Sequence, residues 1–290
     1  MANLKEIRLR ITSVNSTMQI TSAMKMVSAA KLKRAQDAVT RMRPYSVKLQ
    51  EILANVSSTL DGNEGKFSQQ RDVKNVLIVA ITSNRGLCGG FNNNIIKEIR
   101  TSLRGEYANA NVKILSLGKK AGDAYRKTSH YFTDGFGENP HTIFDALTFD
   151  NASKIAQTIM DQFEQGKWDK VVIVYNSFKN AAVQMVQNEQ FLPVKPIEGG
   201  STSKVDYIYE PNKEQILEDL IPRSLKVQLF KALLDSNASE HGARMTAMHK
   251  ATDNAGALVK ELKITYNKAR QASITNEILE IVAGADALKG

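Results

Sequence analysis

Cysteine is almost absent: Cys88 stands alone among 290 residues. An internal disulfide and any cysteine-based metal cluster are therefore excluded, and the usage fits a reducing compartment. Proline is scarce, six residues against the roughly 5% of an average chain, and from Leu4 to Val56 there is one proline and no glycine. No apolar run approaches the roughly 18 residues that a membrane span needs. Met1 to Arg10 carries neither the apolar centre nor the cleavage site of a secretory signal, so the protein is expected to stay on the side where it is made. Four histidines (His130, His141, His241, His249) form no recognisable set, and none is near Cys88 in sequence, so a thiol or imidazole catalytic centre has no support.

What is present is a folded, basic chain. Hydrophobic residues make up 42% and charged ones 24%, the balance of a folded chain, for which disorder is not the expectation. The net charge of +9 is unevenly placed. Residues 1–60 carry 10 Lys/Arg against 3 Asp/Glu, while residues 61–211 carry 18 against 17 and residues 212–290 carry 11 against 10.

The first of these three parts reads as one long helix. Apolar or small residues recur at 3,4 spacing through Leu4, Ile7, Ile11, Val14 and Met18, then Leu32, Ala35, Ala38, Met42, Tyr45, Leu49, Ile52 and Val56. That is a heptad seam. Between Met18 and Leu32 the same phase holds Thr21, Lys25 and Ser28, while Ile20, Ala23, Met24 and Val27 move the apolar stripe to a neighbouring face, so an interruption is expected there. Pro44 should bend the helix or break it near Arg43, because it lacks an N–H and its ring collides with the preceding turn. The last part is similar. After a short amphipathic piece, Glu214 to Leu220, Pro222 suits the first turn of a helix reaching about Ala285. Its seam runs Val227, Phe230, Leu234, then Met248, Ala251, Ala255, Leu258, Leu262, Thr265, Ala269 and Ala272. Gly242 and Gly256 inside it each cost about 1 kcal/mol relative to Ala, which points to close approach of a neighbour.

The middle part has another period. Asp61 to Gln70 is polar and reads as a linker. Val76–Ile81, Val112–Leu117 and Val171–Tyr175 are short β-branched runs, alternating with helical spacing over Asn92–Leu103 and Ser153–Gln165, the pattern of a layered α/β domain. Val183–Phe191 and Val205–Tyr209 are expected to add one or two strands, making the sheet mixed at one edge. Three domains follow: 1–60, 61–211 and 212–290. The two terminal helices can hide their stripes by pairing antiparallel, with the α/β domain inserted between them.

Three segments resemble one family, the gamma subunits of bacterial F-type ATP synthases: Ile20 to Gln36 (ITSAMKMVSAAKLKRAQ), Ser83 to Asn92 (SNRGLCGGFN), and Ser239 to Ala287, which contains RMTAMHKATDNA and the signature positions Ile274, Thr275, Glu277, Glu280, Gly284 and Ala285. Asn84 departs from the commoner Asp, and Gly242 from the commoner Ala. The resemblance implies a Rossmann-like α/β domain between two coiled-coil helices. It also implies a non-catalytic subunit that rotates inside an alpha/beta hexamer and couples proton flow to ATP synthesis or hydrolysis. Epsilon and a ring of c subunits would be further partners. No cofactor or metal is implied, and membrane association, at the cytoplasmic face of the bacterial inner membrane, would come only through the complex.

Each motif also has a plainer reading. Arg85, Gly86, Cys88, Gly89 and Gly90 follow a strand and precede a helix, the place where glycine loops cradle phosphate. They lack the Lys-Ser/Thr of a P-loop, and a tight packed turn is the structural alternative. Lys25, Lys31, Lys33 and Arg34 could form a nucleic-acid patch on a coiled coil, but aromatic residues are not interleaved; the resemblance makes these cations a face toward acidic beta-subunit loops. Met24 is core packing or an adaptable contact to beta. Arg270, Gln271 and Thr275 are an exposed polar face or, by resemblance, contacts to beta-subunit loops.

Overall fold

The computed structural model describes residues 4–57, 66–137, 139–194 and 213–287. In chain order these form α1 (Leu4–Ser57), β1 (Asn75–Ile81), α2 (Phe91–Arg104), β2 (Asn111–Leu117), α3 (Lys119–Tyr125), β3 (Tyr131–Phe132), a 3-10 turn (Pro140–Phe144), α4 (Phe149–Glu164), β4 (Lys170–Phe178), β5 (Gln184–Leu192) and α5 (Lys213–Ala287). The chain divides into two compact units, one of Ala29–Arg244 and one of Met1–Ser28 with Met245–Gly290.

The first unit is built on a five-stranded sheet in the order β3-β2-β1-β4-β5, parallel except for the β4–β5 pair. The expected mixed edge is therefore β5. Strand alternation sorts the sheet's apolar residues onto two faces. Leu77, Val79 and Ile81 of β1 join Leu115, Val171 and Ile173 under α4, where Ala156, Ile159, Met160 and Phe163 are fully buried. Val76, Ile78 and Ala80 join Ile114, Val172 and Val174 under α2, whose Phe91, Ile95 and Ile99 close the other face. The helix α5 serves both faces: Leu225, Leu229, Ala232 and Leu233 belong to the first cluster and Ala243 to the second. Val227 meanwhile packs on Leu49 and Leu53 of α1. A helix buried on several sides loses a single-stripe pattern. That explains why the sequence shows few of these positions.

Position by position, α1 and α5 run antiparallel in this unit: Leu49 and Leu53 meet Val227, Met42 and Arg43 share a cleft with Lys231, Leu234 and Asp235, and Lys31 lies by Glu240. The predicted seam slips here. Tyr45 and Ile52 are each 42% exposed, and Ser46, Leu49 and Leu53 take the buried positions.

Pro44 does not break α1, which runs through it. Pro44 and Thr40, whose carbonyl has lost its N–H partner, are both exposed, so water can satisfy that carbonyl. Pro222 likewise lies inside α5 rather than in its first turn, and the piece Glu214–Leu220 is the same helix. The expected strand Val205–Tyr209, residues 61–65 of the linker and the boundary at 211 fall outside the described residues. Three elements went unread: α3, seven residues, β3, two residues, and the 3-10 turn, five residues, all too short to show a period.

In the second unit, the early part of α1 pairs with the later part of α5. The hydroxyls of Thr21 and Thr252 are 2.9 Å apart, and a Cβ on Gly256 would lie 3.7 Å from the Met18 sulfur. One number rises as the other falls, so this pairing is antiparallel too. Gly256 therefore sits at ordinary contact distance and does not mark the close approach expected of it. Ile7, Met248, Ala255 and Val259 are buried on the seam.

The expected interruption between Met18 and Leu32 takes another form. The buried face keeps its phase and is filled by hydroxyls: Thr21 is 9% and Ser28 3% exposed, whereas Ile20, Met26 and Val27 face outward at 59, 64 and 57%. Each hydroxyl bonds a helix carbonyl, Thr21 to Met18 and Ser28 to Met24, so burying it leaves no orphaned polar group.

Candidate functional site

The glycine loop leaves β1 at its carboxyl end, where the connections to β2 and β4 diverge, the usual ligand crevice of an open α/β sheet. The start of α3 lies against the beginning of this loop, and there the chain itself takes the helix's first N–H groups. At the start of α3, the Ala121 N–H goes to Thr82 Oγ1 at 2.9 Å, the Lys120 N–H to the Ser83 carbonyl at 3.1 Å and the Lys119 N–H to Asn84 Oδ1 at 3.1 Å. Gly118 permits this, since a Cβ there would lie 2.1 Å from the Thr82 carbonyl oxygen. Asn84 in turn donates to the His141 carbonyl.

Inside the loop, Asn92 organises the turn. Its side chain accepts from the Ser83 N–H at 3.0 Å and donates to Ser83 Oγ at 2.8 Å and to Cys88 Sγ at 3.1 Å. Cys88 is 2% exposed, a packed thiol rather than a reactive one. Leu87 and Gly89 have φ of 62° and 58°, the left-handed region that glycine tolerates and leucine adopts only when held there. Leu87 is 64% exposed. Gly90 precedes α2 as its N-cap.

What holds the loop is a residue of α5. The Arg244 guanidinium, 8% exposed, donates to the Arg85 carbonyl at 3.2 Å and to the Gly86 carbonyl at 3.3 and 3.4 Å. Its other end pairs with Glu240 Oε1 at 2.6 Å. The loop therefore offers carbonyl oxygens to a cation, the reverse of a phosphate cradle. Burial raises the Glu240 carboxyl above its ordinary range, against the pull of Arg244, Lys31 and Arg85. Burial, with Arg244 and Lys31, lowers His241 to about 4, so the imidazole is neutral at physiological pH. On its other side α5 presses against the β4–β5 turn: a Cβ on Gly242 would lie 3.3 Å from the Ala181 backbone. Gly242 thus marks the close approach that its place in a helix implied.

The remaining sequence-derived positions lie on helix surfaces. Lys31, Lys33 and Arg34 are exposed on α1, and Lys33 pairs with Asp37 at 3.2 Å. Met24 and Lys25 are half-buried. Arg270, Gln271 and Thr275 are exposed on α5, with the Thr275 hydroxyl bonded to the Gln271 carbonyl. Ile274, Glu277, Glu280, Gly284 and Ala285 are exposed as well. Counting from the Thr21–Thr252 contact, Met24 and Arg270 lie about 30 Å apart along the helix pair, so they are separate contact points. Near the end of α5, Ile274, Ile278, Ile281 and Val282 are 47 to 71% exposed, an i, i+4, i+7, i+8 stripe with no partner among the described residues. Sequence reasoning passed over Arg244 and Glu240. Their signal was a Glu and an Arg four apart in a stretch of Ala, Gly and Ser, the spacing of a helical ion pair.

Among the described residues, no helix is long and apolar enough to cross a membrane. Residues 3–288 match the family model described as ATP synthase. ATP synthase gamma chains of Flavobacterium psychrophilum and Christiangramia forsetii are 62% and 59% identical, each over the whole of both chains. That of Cytophaga hutchinsonii is 50% identical over 99% of both. Among solved structures, a chain of the Tetrahymena thermophila mitochondrial ATP synthase central stalk and c-ring is 25% identical, covering 80% of this chain and 99% of that one, with a TM-score of 0.55. One from the Euglena gracilis mitochondrial ATP synthase (OSCP, F1 and c-ring) shares the fold at a TM-score of 0.66, 22% identical over 98% of this chain and 94% of that one. With long N- and C-terminal helices, a mixed sheet between them in the chain, and relatives matching from end to end, this chain belongs to the ATP synthase gamma chain family.

Proposed function

We propose that this chain is the central-stalk rotor subunit of an F-type ATP synthase, turning inside an alpha/beta hexamer and coupling transmembrane proton flow to ATP synthesis or hydrolysis at the beta subunits. The observation that carries this is the 62% identity to an ATP synthase gamma chain over the full length of both. The chain does no chemistry itself. It acts by presenting different faces to beta subunits in turn and shifting each between conformations. Differential contact is the only way a partner moves such an equilibrium; taking a site from 1:99 to 99:1 needs about 5.5 kcal/mol of it.

The surface chemistry fits that role. The outward apolar residues Ile20, Met26 and Val27 and the stripe from Ile274 to Val282 are area for a surrounding partner to cover. Met24, Lys25, Lys31, Lys33, Arg34, Arg270, Gln271 and Thr275 are the proposed contacts to beta. Lys and Arg there give long-range attraction to acidic loops without fixed bonding, which suits surfaces that slide. The sheet-bearing unit would meet epsilon and the c ring, and the complex would hold the chain at the cytoplasmic face of the bacterial inner membrane as a peripheral subunit.

The test is ATP hydrolysis by purified alpha and beta subunits with and without this chain, beside the chain alone. Stable assembly and sustained turnover only in the full mixture, with the chain alone inactive, is the expected result. Turnover indifferent to the chain would remove the rotor reading.

A further inference from the structure

A rotor subunit that receives torque on one part and delivers it through another must not let those parts turn against each other. Within the sheet-bearing unit, α5 is seated by apolar contact, Leu225, Leu229, Ala232 and Leu233 on one sheet face and Ala243 on the other, and by Gln228, whose amide donates to Glu189 Oε1 at 2.6 Å and to the Gln190 carbonyl at 3.3 Å on β5. The apolar contact is non-directional, and Gln228 ties α5 to the sheet about three to four turns before residues 240–244. At residues 240–244 the packing changes character. Gly242 sets the α5 backbone against Ala181 in the β4–β5 turn, with a Cβ position 3.3 Å from the Ala181 Cα and carbonyl oxygen. Two residues on, Arg244 reaches to the β1–α2 loop and binds the carbonyls of Arg85 and Gly86. Glu240, one turn back on the same helix, fixes the other end of the guanidinium at 2.6 Å.

We propose that Arg244, braced by Glu240 and opposed by the Gly242–Ala181 contact, is a positioning residue that clamps α5 against rotation relative to the sheet and so carries torque between them. The planar fork of an arginine suits this: it fixes direction as well as distance, and its two loop acceptors are consecutive carbonyls of one turn. A lysine at 244 could keep the pair with Glu240 but presents a single ammonium that rotates freely. Gly242 and Arg244 face different loops, so α5 is held from two sides at one level, and rolling in either direction breaks one hold. This inference rests on the rotor reading above.

The experiment uses the complete membrane complex with Arg244→Lys and Arg244→Gln, measuring ATP hydrolysis and ATP-driven proton pumping on the same preparation. A slipping clamp lets the hexamer turn α5 while the sheet lags. Pumping per ATP hydrolysed is then expected to fall several-fold in both variants, with hydrolysis retained. Joining the two sides chemically should reverse this: with Ala181→Cys and Gly242→Cys added to Arg244→Gln, oxidation restores the ratio and reduction abolishes it again. A ratio equal to wild type in both variants, hydrolysis and pumping falling in the same proportion, or uncoupling that persists after the cross-link forms would each overturn the clamp. Arg244→Lys, which keeps charge and helix propensity, decides the matter where Arg244→Gln fails to assemble. If the wild-type complex itself does not pump, the rotor reading fails and not the clamp alone.

Discussion

The hydroxyls of Thr21 and Thr252 meet at 2.9 Å across the helix pair, and each also lies within hydrogen-bonding distance of a carbonyl of its own helix, Thr21 of Met18 and Thr252 of Met248. Two hydroxyl hydrogens face three acceptor positions, so the three bonds cannot all be made at once. The inter-helix bond is therefore worth less than the usual ~1 kcal/mol. Replacing both residues by valine, which conserves shape, is expected to leave stability unchanged within about 1 kcal/mol. Denaturant unfolding of the two chains side by side would show it, and a large loss would mean that the bond matters more than its sharing allows.

The inverted stretch of α1 makes a sharper prediction. Val27 is 57% exposed and Ser28 3%, so the chain's fold should tolerate Val27→Ser within about 0.5 kcal/mol. Ser28→Leu should cost roughly 1–3 kcal/mol by overpacking a filled seam. Thermal melts of the two single variants would rank them, and the reverse order would contradict the burial described.

Gly118 cannot take a side chain. A Cβ there would lie 2.1 Å from the Thr82 carbonyl oxygen, and the backbone on both sides is held by hydrogen bonds to α3. Gly118→Ala is expected to destabilise by about 2 kcal/mol or more, read as a lower denaturant midpoint.

His241 provides a pH signature. Its folded pKa, about 4, lies below the ordinary value of 6.5, first because of burial and then because of Arg244 and Lys31. The unfolded chain therefore binds the extra proton first, and the stability from the neutral imidazole, complete above pH 6.5, is lost as pH falls toward 4. Its partial exposure limits the effect to the order of 1–2 kcal/mol. Imidazole NMR should place the titration near 4, and His241→Gln should flatten the stability profile between those values. Asp235 and Glu240 act oppositely. Burial raises both carboxyls, so their contribution is present below the ordinary carboxylate range and lost as pH rises through the raised values.

Arg270 and Gln271 are exposed on α5, so replacing both by alanine should leave folding and assembly unchanged. If they touch the beta subunits, the reassembled complex is expected to turn over ATP several-fold more slowly. Unchanged synthesis and hydrolysis rates would withdraw the contact and leave the family untouched.

Much of this was legible beforehand because it repeats. The 3,4 seams gave α1 and α5, and the runs Val76–Ile81, Val112–Leu117 and Val171–Tyr175 gave the parallel strands, each buried on both faces. The slip at Tyr45 and the hydroxyls at Thr21 and Ser28 were not readable, because which face of a helix is buried depends on what lies opposite. Arg244 was missed for a related reason. Its partners, Arg85 and Gly86, are some 158 residues away and bind through main-chain oxygens, which carry no side-chain signature.

Thr21 and Thr252 are separated by 231 residues of chain. During synthesis at roughly 5–20 residues per second, the N-terminal partner waits on the order of 10–45 s before the other half of its pair exists. A seam wholly of leucine and isoleucine would spend that interval as an aggregation hazard at the ribosome. Hydroxyls at Thr21 and Ser28, each bonded to a carbonyl of its own helix, expose less apolar surface at those two positions during that interval than leucine would.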